Sequence, residues 1–137
     1  MLNLLTLAHL TANAEAEEKI RRTLGLFSER LTSYGRMVPL MSAALAVYHA
    51  GLAQIVIVAQ GDAAGAAPLL DRLATLYRPF SIVVPVHADS TQRQVAALLP
   101  FIAAMIPVDA SATAYVCRNF TCEQPVTDAA GLAERLR

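Results

Sequence analysis

Tryptophan is absent from the 137 residues, lysine occurs once, and the formal net charge at pH 7 is zero. Nucleic-acid-binding domains carry concentrated positive charge, and polybasic runs are typical of proteins that bind acidic membrane surfaces. The eleven basic residues here are scattered along the chain and are balanced by eleven acidic residues. The sequence therefore predicts neither a nucleic-acid partner nor a membrane partner.

Long hydrophobic runs are also missing. The longest near-apolar stretches, Val38–Ala53 and Val95–Val108, contain proline, histidine or glycine and fall short of the roughly 20 apolar residues that a membrane-spanning helix needs. The first ten residues lack a basic region and a small-residue cleavage site, so we expect no signal peptide. These features predict a cytoplasmic location.

What the chain does contain is apolar side chains. Hydrophobic residues make up 55% of the sequence, charged residues only 16%, and the mean hydropathy is +0.45. Disordered chains show the opposite balance. A chain of this length is long enough to bury a core.

Helical patterns dominate residues 1–51. An apolar segment covers the first ten residues, and a second helix is predicted over residues 14–31, with Ile20, Leu24 and Phe27 on one face. Pro39 is suited to the first turn of a third helix, and Gly51 is suited to the position just after its end. We interpret residues 1–51 as a helical segment.

Residues 52–137 alternate strand and helix patterns. Short β-branched runs at Gln54–Ala59, Ser81–Val86 and Thr113–Cys117 predict three strands, with Pro85 at the end or the edge of its strand. Strands that alternate with helices usually form a parallel sheet. The expected fold is therefore α/β, with N-terminal helices followed by a small three-stranded parallel sheet and flanking helices.

The run Ala114–Asp128 reads AYVCRNFTCEQPVTD. It resembles the C-terminal phrase of the YyaL-type thioredoxin-domain proteins, which include the spermatogenesis-associated thioredoxin-like proteins. Weaker likenesses in the same order occur at Asn3–Thr11, Gln54–Val58 and Leu98–Phe101, so the resemblance covers nearly the whole chain.

The resemblance implies a C-terminal piece of a larger architecture. Such proteins begin with a thioredoxin-like domain that carries a C-x-W-C type motif, followed by a helical toroid similar to the sugar 2-epimerases. Residues 1–51 would then be the last toroid helices, and residues 52–137 a small α/β subdomain. Without tryptophan, this chain cannot contain the C-x-W-C motif. No epimerase catalytic motif matches its residues.

Cys117 and Cys122 are the only cysteines, in C-x4-C spacing. They are redox candidates, but thioredoxin-type sites use C-x-x-C at a helix start, where the thiol pKa is lowered. A structural zinc site needs four ligands, and no second pair is present. The sequence favours buried structural thiols over a reversible disulfide, and both over a metal site. A bridge requires the two Cα atoms to lie within about 7 Å.

A ligand site at the carboxyl edge of the sheet is a further alternative. Asp62 follows the first strand and His87 the second, and Arg118 follows the third. Such edges often hold ligands in α/β proteins. The loop Gly61–Gly65 lacks a G-x-G-x-x-G or P-loop spacing, so we expect no nucleotide and no other cofactor. The sequence favours ordinary solvated loop polarity as the explanation of these residues, because loops are usually polar.

Taken together, the sequence favours a non-catalytic structural or interaction domain, with thiol–disulfide chemistry and small-ligand binding (a sugar or a phosphate) as the alternatives. No complete catalytic motif is present. The helical segment needs cover for its apolar faces, either from the upstream domains of a longer protein or from a second copy in a dimer. The apolar residues expected on these faces are Leu2, Leu5, Ile20, Leu24, Phe27, Met41 and Leu45.

Overall fold

A computed structural model of the chain describes residues 1–61, 63–88, 90–119 and 121–136. They fall into two compact units, Met1–Leu52 and Ala53–Arg137. In the part of the chain that the structure describes, no helix is long and apolar enough to cross a membrane.

The first unit is helical. It contains α1 (Leu2–Thr11), α2 (Ala14–Leu26), α3 (Ser28–Tyr34), a 3₁₀ turn (Gly35–Met37) and α4 (Pro39–Ala50). The Asn13 side chain caps α2 by accepting from the Ala16 N–H (2.9 Å), and Gly51, with φ of 73°, ends α4. Its core consists of Leu5, Ala8, Ile20, Leu24 and Ala44.

The second expected helix is two helices in the structure. The break falls at Phe27, where the backbone leaves helical geometry (φ −96°, ψ 3°). Gly25 lies just before the break, and glycine has a low helix propensity. The apolar pattern of residues 14–31 does not show this local weakness. The expectation of one helix over residues 14–31 was therefore wrong.

The second unit contains four strands and three α-helices in its described part. The strands are β1 (Ala53–Ala59), β2 (Ser81–His87), β3 (Thr113–Arg118) and β4 (Thr121–Cys122), and the helices are α5 (Ala67–Ala74), α6 (Ser90–Leu98) and α7 (Ala129–Arg135). Two 3₁₀ turns lie at Ala63–Ala66 and Pro100–Ala104. Asp128 caps α7 by accepting from the Gly131 N–H (2.8 Å).

The sheet has the order β2-β1-β3-β4. β1 and β2 are parallel, whereas β3 runs antiparallel to β1 and β4 antiparallel to β3. The α/β class is confirmed, but the expectation of three parallel strands is corrected to four strands in a mixed sheet. A tight turn just before β3 accounts for part of the difference, because Asp109 and Ala110 both have positive φ (50° and 55°) and the chain reverses there.

Both faces of this sheet are covered. Ile55, Ile57 and Val116 pack towards α5 and α7, and Val56 and Val58 pack against the other cluster, which includes residues of α6 and of the segment after it. Because β1 is central and covered on both faces, all seven of its residues are buried. The sheet edges are β2 on one side and the two-residue β4 on the other.

Candidate functional site

The two cysteines are joined. Cys117 on β3 lies directly opposite Cys122 on β4, and their sulfurs form a disulfide with a Cα–Cα distance of 3.9 Å. The structure thus has the bridge where the sequence favoured reduced, packed thiols. The sequence also placed Cys122 in a loop, because a strand of two residues leaves no periodic pattern to recognise.

Local sequence explains why the chain turns between the cysteines. β3 is rich in β-branched and aromatic residues, which favour a strand. Asn119 follows with φ of 49°, a left-handed conformation that asparagine tolerates better than most residues. Arg118 then pairs with Thr121, so the cysteines are brought opposite each other one position further along. Phe120 lies outside the described residues.

The two sulfurs have different surroundings. Cys117 is completely buried, in the cluster that includes Val56, Val58 and Met105. Cys122 is exposed on the edge strand. The bridge closes a loop of only six residues, so in the chain-entropy view it stabilises the fold by about 2 kcal/mol, near the low end for disulfides. Its contribution to folding is therefore modest.

Ion-paired side chains lie next to the disulfide, because Arg118 directly follows Cys117 and Glu123 directly follows Cys122. Glu123 accepts from Arg118 Nη1 through one carboxylate oxygen and lies 3.5 Å from Arg135 Nη1 through the other. Arg118 Nη2 also donates to the Arg135 carbonyl oxygen (3.2 Å). Sequence reasoning missed Glu123 and Arg135, since only the fold brings β4 and α7 together at Arg118.

These charges line a cleft of about 520 Å³, in which Glu134 joins Arg118, Glu123 and Arg135. The charges of the two arginine and the two glutamate side chains cancel there. Arg118 is thus engaged by Glu123, and the cleft offers no net charge to attract a phosphate.

Two of the predicted ligand residues, His87 and Arg118, do not come together. His87, at the end of β2, lies opposite Ala59, whereas Arg118 lies opposite Ala53 at the other end of β1. Six residues of strand separate these positions, or about 20 Å at the usual rise per residue. The antiparallel direction of β3 is the reason, because it places the end of β3 beside the start of β1.

The third predicted ligand residue, Asp62, lies outside the described residues. His87 Nδ1 is buried and has no hydrogen-bond partner within residues 1–61, 63–88, 90–119 and 121–136. Of the three predicted ligand residues, only His87 is therefore placed at the carboxyl edge of β1 and β2.

The helical unit holds a second polar group. His9 Nε2 accepts from the Leu52 N–H (3.3 Å) and lines a cavity of about 440 Å³. At its rim, the hydrogen bond from Arg21 holds the pKa of the Glu18 carboxyl below its usual value, and Glu18 raises the pKa of Arg21. Both side chains are solvent-exposed, so this ion pair contributes little to stability.

Metal ligands are not clustered in the described ranges, where no three His, Cys, Asp or Glu side chains are placed to share an ion.

The loop between β1 and α5 contains the 3₁₀ turn Ala63–Ala66, and Ala66 has no side-chain hydrogen bond that caps α5.

Three curated relatives match the chain. Over 98% of its length, this chain is similar to spermatogenesis-associated protein 20. The human and rat proteins are each 31% identical to it, and the mouse protein is 30% identical. In each case the chain spans only 17% of the relative. These matches support the resemblance to the spermatogenesis-associated proteins, which the sequence analysis finds along nearly the whole chain.

No family profile matches the chain. No solved structure matches it either.

Proposed function

We propose that this chain is a non-catalytic structural and interaction domain of the spermatogenesis-associated protein 20 family, and that its helical unit packs against the remainder of a larger body. The observation that carries the proposal is the apolar surface of that unit. Leu26, Met37 and Leu40 are 84%, 78% and 74% exposed, and Tyr34 is 63% exposed. Large exposed apolar patches usually mark interaction sites, and these four side chains provide apolar surface for one.

The surface includes a groove. An open apolar cleft of about 590 Å³ lies between the start of α1 and the start of α4. The residues that line it are Met1, Leu2, Asn3, Val38, Pro39, Leu40 and Met41. A helix with an apolar stripe fits such a groove.

This surface differs from the one expected from sequence. Leu5, Ile20 and Leu24 are buried in the unit's own core, so they are unavailable to a partner. They pack there because α1, α2 and α4 already form a small core among themselves. The four most exposed large apolar side chains of the unit lie instead between the end of α2 and the start of α4.

The length of the relatives supports our proposal of what packs against this surface. The matched proteins are several times longer than this chain, because it spans 17% of each. We propose that the surface faces the rest of such a protein, namely the toroid and thioredoxin-like domains that the resemblance implies, in the cytoplasm. In the isolated chain the surface is uncovered, and we expect a second copy to cover it in a twofold dimer.

Paired substitutions test this surface. Met37→Gln with Leu40→Gln should weaken the self-association of the chain, because burying a large apolar side chain contributes about 1.5–3 kcal/mol. Leu98→Gln is the matched control, since Leu98 is equally exposed (76%) but lies in the other unit. Sedimentation velocity over a range of micromolar concentrations reads the association. Equal association of the double variant, the control and the unchanged chain would contradict the proposal.

The disulfide favours a second candidate function. We propose that the Cys117–Cys122 pair exchanges between disulfide and dithiol. The supporting observation is the bridge itself, in which Cys122 is an exposed residue at a sheet edge and Cys117 is buried. Adding a dithiol reductant to the native chain should reduce the bridge without unfolding, and the thiols should re-oxidise when the reductant is removed. Reduction that occurs only after denaturation would contradict this role.

A further inference from the structure

We propose that the Cys122 sulfur is the site at which a small-molecule thiol enters the bridge, and that Cys117 is the leaving sulfur. The inference rests on the thiol–disulfide role proposed above and adds the direction of the reaction. It assigns Cys122 as a site of reversible S-thiolation.

Access to the two sulfurs decides the direction. An attacking thiolate approaches a disulfide along the line of the S–S bond, from the far side of the sulfur that it attacks. The Cys122 side of the bridge is exposed on β4, which forms the edge of the sheet. Cys117 has no exposed surface and packs in the cluster with Val58 and Met105. A thiolate could reach Cys117 only through the core.

The exchange balances with two equivalents of thiol. The thiolate R–S⁻ forms a new bond to Cys122 Sγ, and the Cys117–Cys122 bond breaks with its electron pair on Cys117 Sγ, which then takes a proton. A second R–S⁻ attacks the R sulfur of the mixed disulfide and releases Cys122 as a thiolate. The bridge has gained two electrons, and two R–SH have become R–S–S–R.

The protein favours closing the bridge again. Glu123, next to Cys122, donates its backbone N–H to the Val116 carbonyl oxygen (2.9 Å), and its carboxylate pairs with Arg118 and Arg135. None of these contacts involves the sulfurs. They hold Cys122 opposite Cys117 after reduction, so the leaving sulfur is kept within reach of the mixed disulfide.

Adduct mapping on the native full chain tests the direction. Reduced glutathione is the probe, and the reaction is stopped at short times with acid and then blocked with N-ethylmaleimide. Trypsin cleaves after Arg118 and so separates the cysteines into residues 94–118 and 119–135. The glutathione adduct should appear on the 119–135 peptide in about tenfold excess, because exchange depends on access to the sulfur.

The outcomes separate the two proposals. Equal adducts on both peptides, or an excess on the peptide of Cys117, would overturn the direction while leaving the thiol–disulfide role in place. A native chain that neither forms an adduct nor is reduced, while the urea-unfolded chain does both, would overturn the role as well.

Single-cysteine variants provide the matched comparison. Cys117→Ala leaves a thiol at the exposed position, and Cys122→Ala leaves one at the buried position. Iodoacetamide should modify the first about tenfold faster in the native state, and urea should equalise the rates. If either variant fails to fold, the reduced unsubstituted chain gives the same ratio from its two tryptic peptides. Equal native rates would contradict the inference.

Discussion

Gln92 ties α6 to the segment that follows it. Its side-chain amide donates to the carbonyl oxygens of Ile102 (3.0 Å) and Met105 (2.6 Å), both residues of the core on that face of the sheet. Sequence reasoning found no role for Gln92, because its partners lie ten and thirteen residues away. A single polar side chain thus ties α6 to the 3₁₀ turn Pro100–Ala104 and to Met105 after it.

Replacing this side chain should be costly. Gln92→Ala removes both hydrogen bonds, after which the Ile102 carbonyl oxygen keeps the Met105 N–H as a donor. We expect a loss of about 1–3 kcal/mol in the free energy of unfolding. Gln94→Ala is the control, since Gln94 is exposed on the same helix. Urea unfolding followed by circular dichroism measures both. Equal stabilities of the two variants would show that the hydrogen bonds contribute nothing.

At the scale of elements, the β3–β4 hairpin is held by more than its disulfide. The Glu123 N–H bond to Val116 and the ion pairs of Glu123 remain when the bridge is open. We therefore expect Cys122→Ala to lower the free energy of unfolding by only about 2 kcal/mol, the value for so short a loop.

Urea unfolding with and without reductant checks this value. Reductant should lower the stability of the unsubstituted chain by a similar amount and should leave that of Cys122→Ala unchanged. A reductant effect on the variant, or complete unfolding of either protein, would mean that the bridge has a larger structural role.

Pro85 protects the other edge of the sheet. The Phe80 carbonyl accepts from Ala53 and the Ala88 N–H donates to Ala59, so the even-numbered residues of β2 face β1. The backbone of Pro85 therefore points away from the sheet, where its missing N–H costs no ladder bond. Its position confirms the prediction that it lies at an edge. Proline there also limits pairing with further strands.

Restoring that donor should favour association. Pro85→Thr supplies an N–H at the free edge, and we expect it to increase strand-mediated aggregation on warming. Val83→Thr is the control, because it lies at an equivalent outward position and adds no donor. Light scattering during a slow temperature ramp compares them. Indistinguishable scattering from the two variants would contradict this role for Pro85.

Much of the fold could be predicted at this scale, because apolar periodicity marks long elements. The patterns located β1, β2, β3 and α4. They could not give the direction of β3, since the preceding turn contains Asp109 and Ala110 in left-handed conformations with no glycine to mark it. A two-residue strand such as β4 is similarly invisible to periodicity.

Prediction of the site was more limited for the same reason. The sequence identified the cysteine pair, but their pairing depends on β4. A parallel sheet would place His87 and Arg118 at the same edge. The antiparallel β3 places them at opposite ends of β1. Glu123 and Arg135 carry no local signal, because their interaction exists only once α7 has packed beside the hairpin.

At the scale of the whole molecule, the described residues of the helical unit expose as many large apolar side chains as those of the longer α/β unit, six in each. The α/β unit covers both faces of its sheet, whereas the helical unit leaves Leu26, Met37 and Leu40 largely in water. This chain spans 17% of the length of the human relative. We expect the exposed apolar surface to lie where the rest of such a protein would pack. We therefore assign the proposed interaction role to the helical unit.

The molar mass of the isolated chain in solution tests this role most directly. Multi-angle light scattering at micromolar concentration should give twice the 14.6 kDa of one chain, because the uncovered helical surface pairs with itself. The Met37→Gln and Leu40→Gln double variant should shift towards the mass of one chain. A monodisperse monomer for the unsubstituted chain would contradict the account.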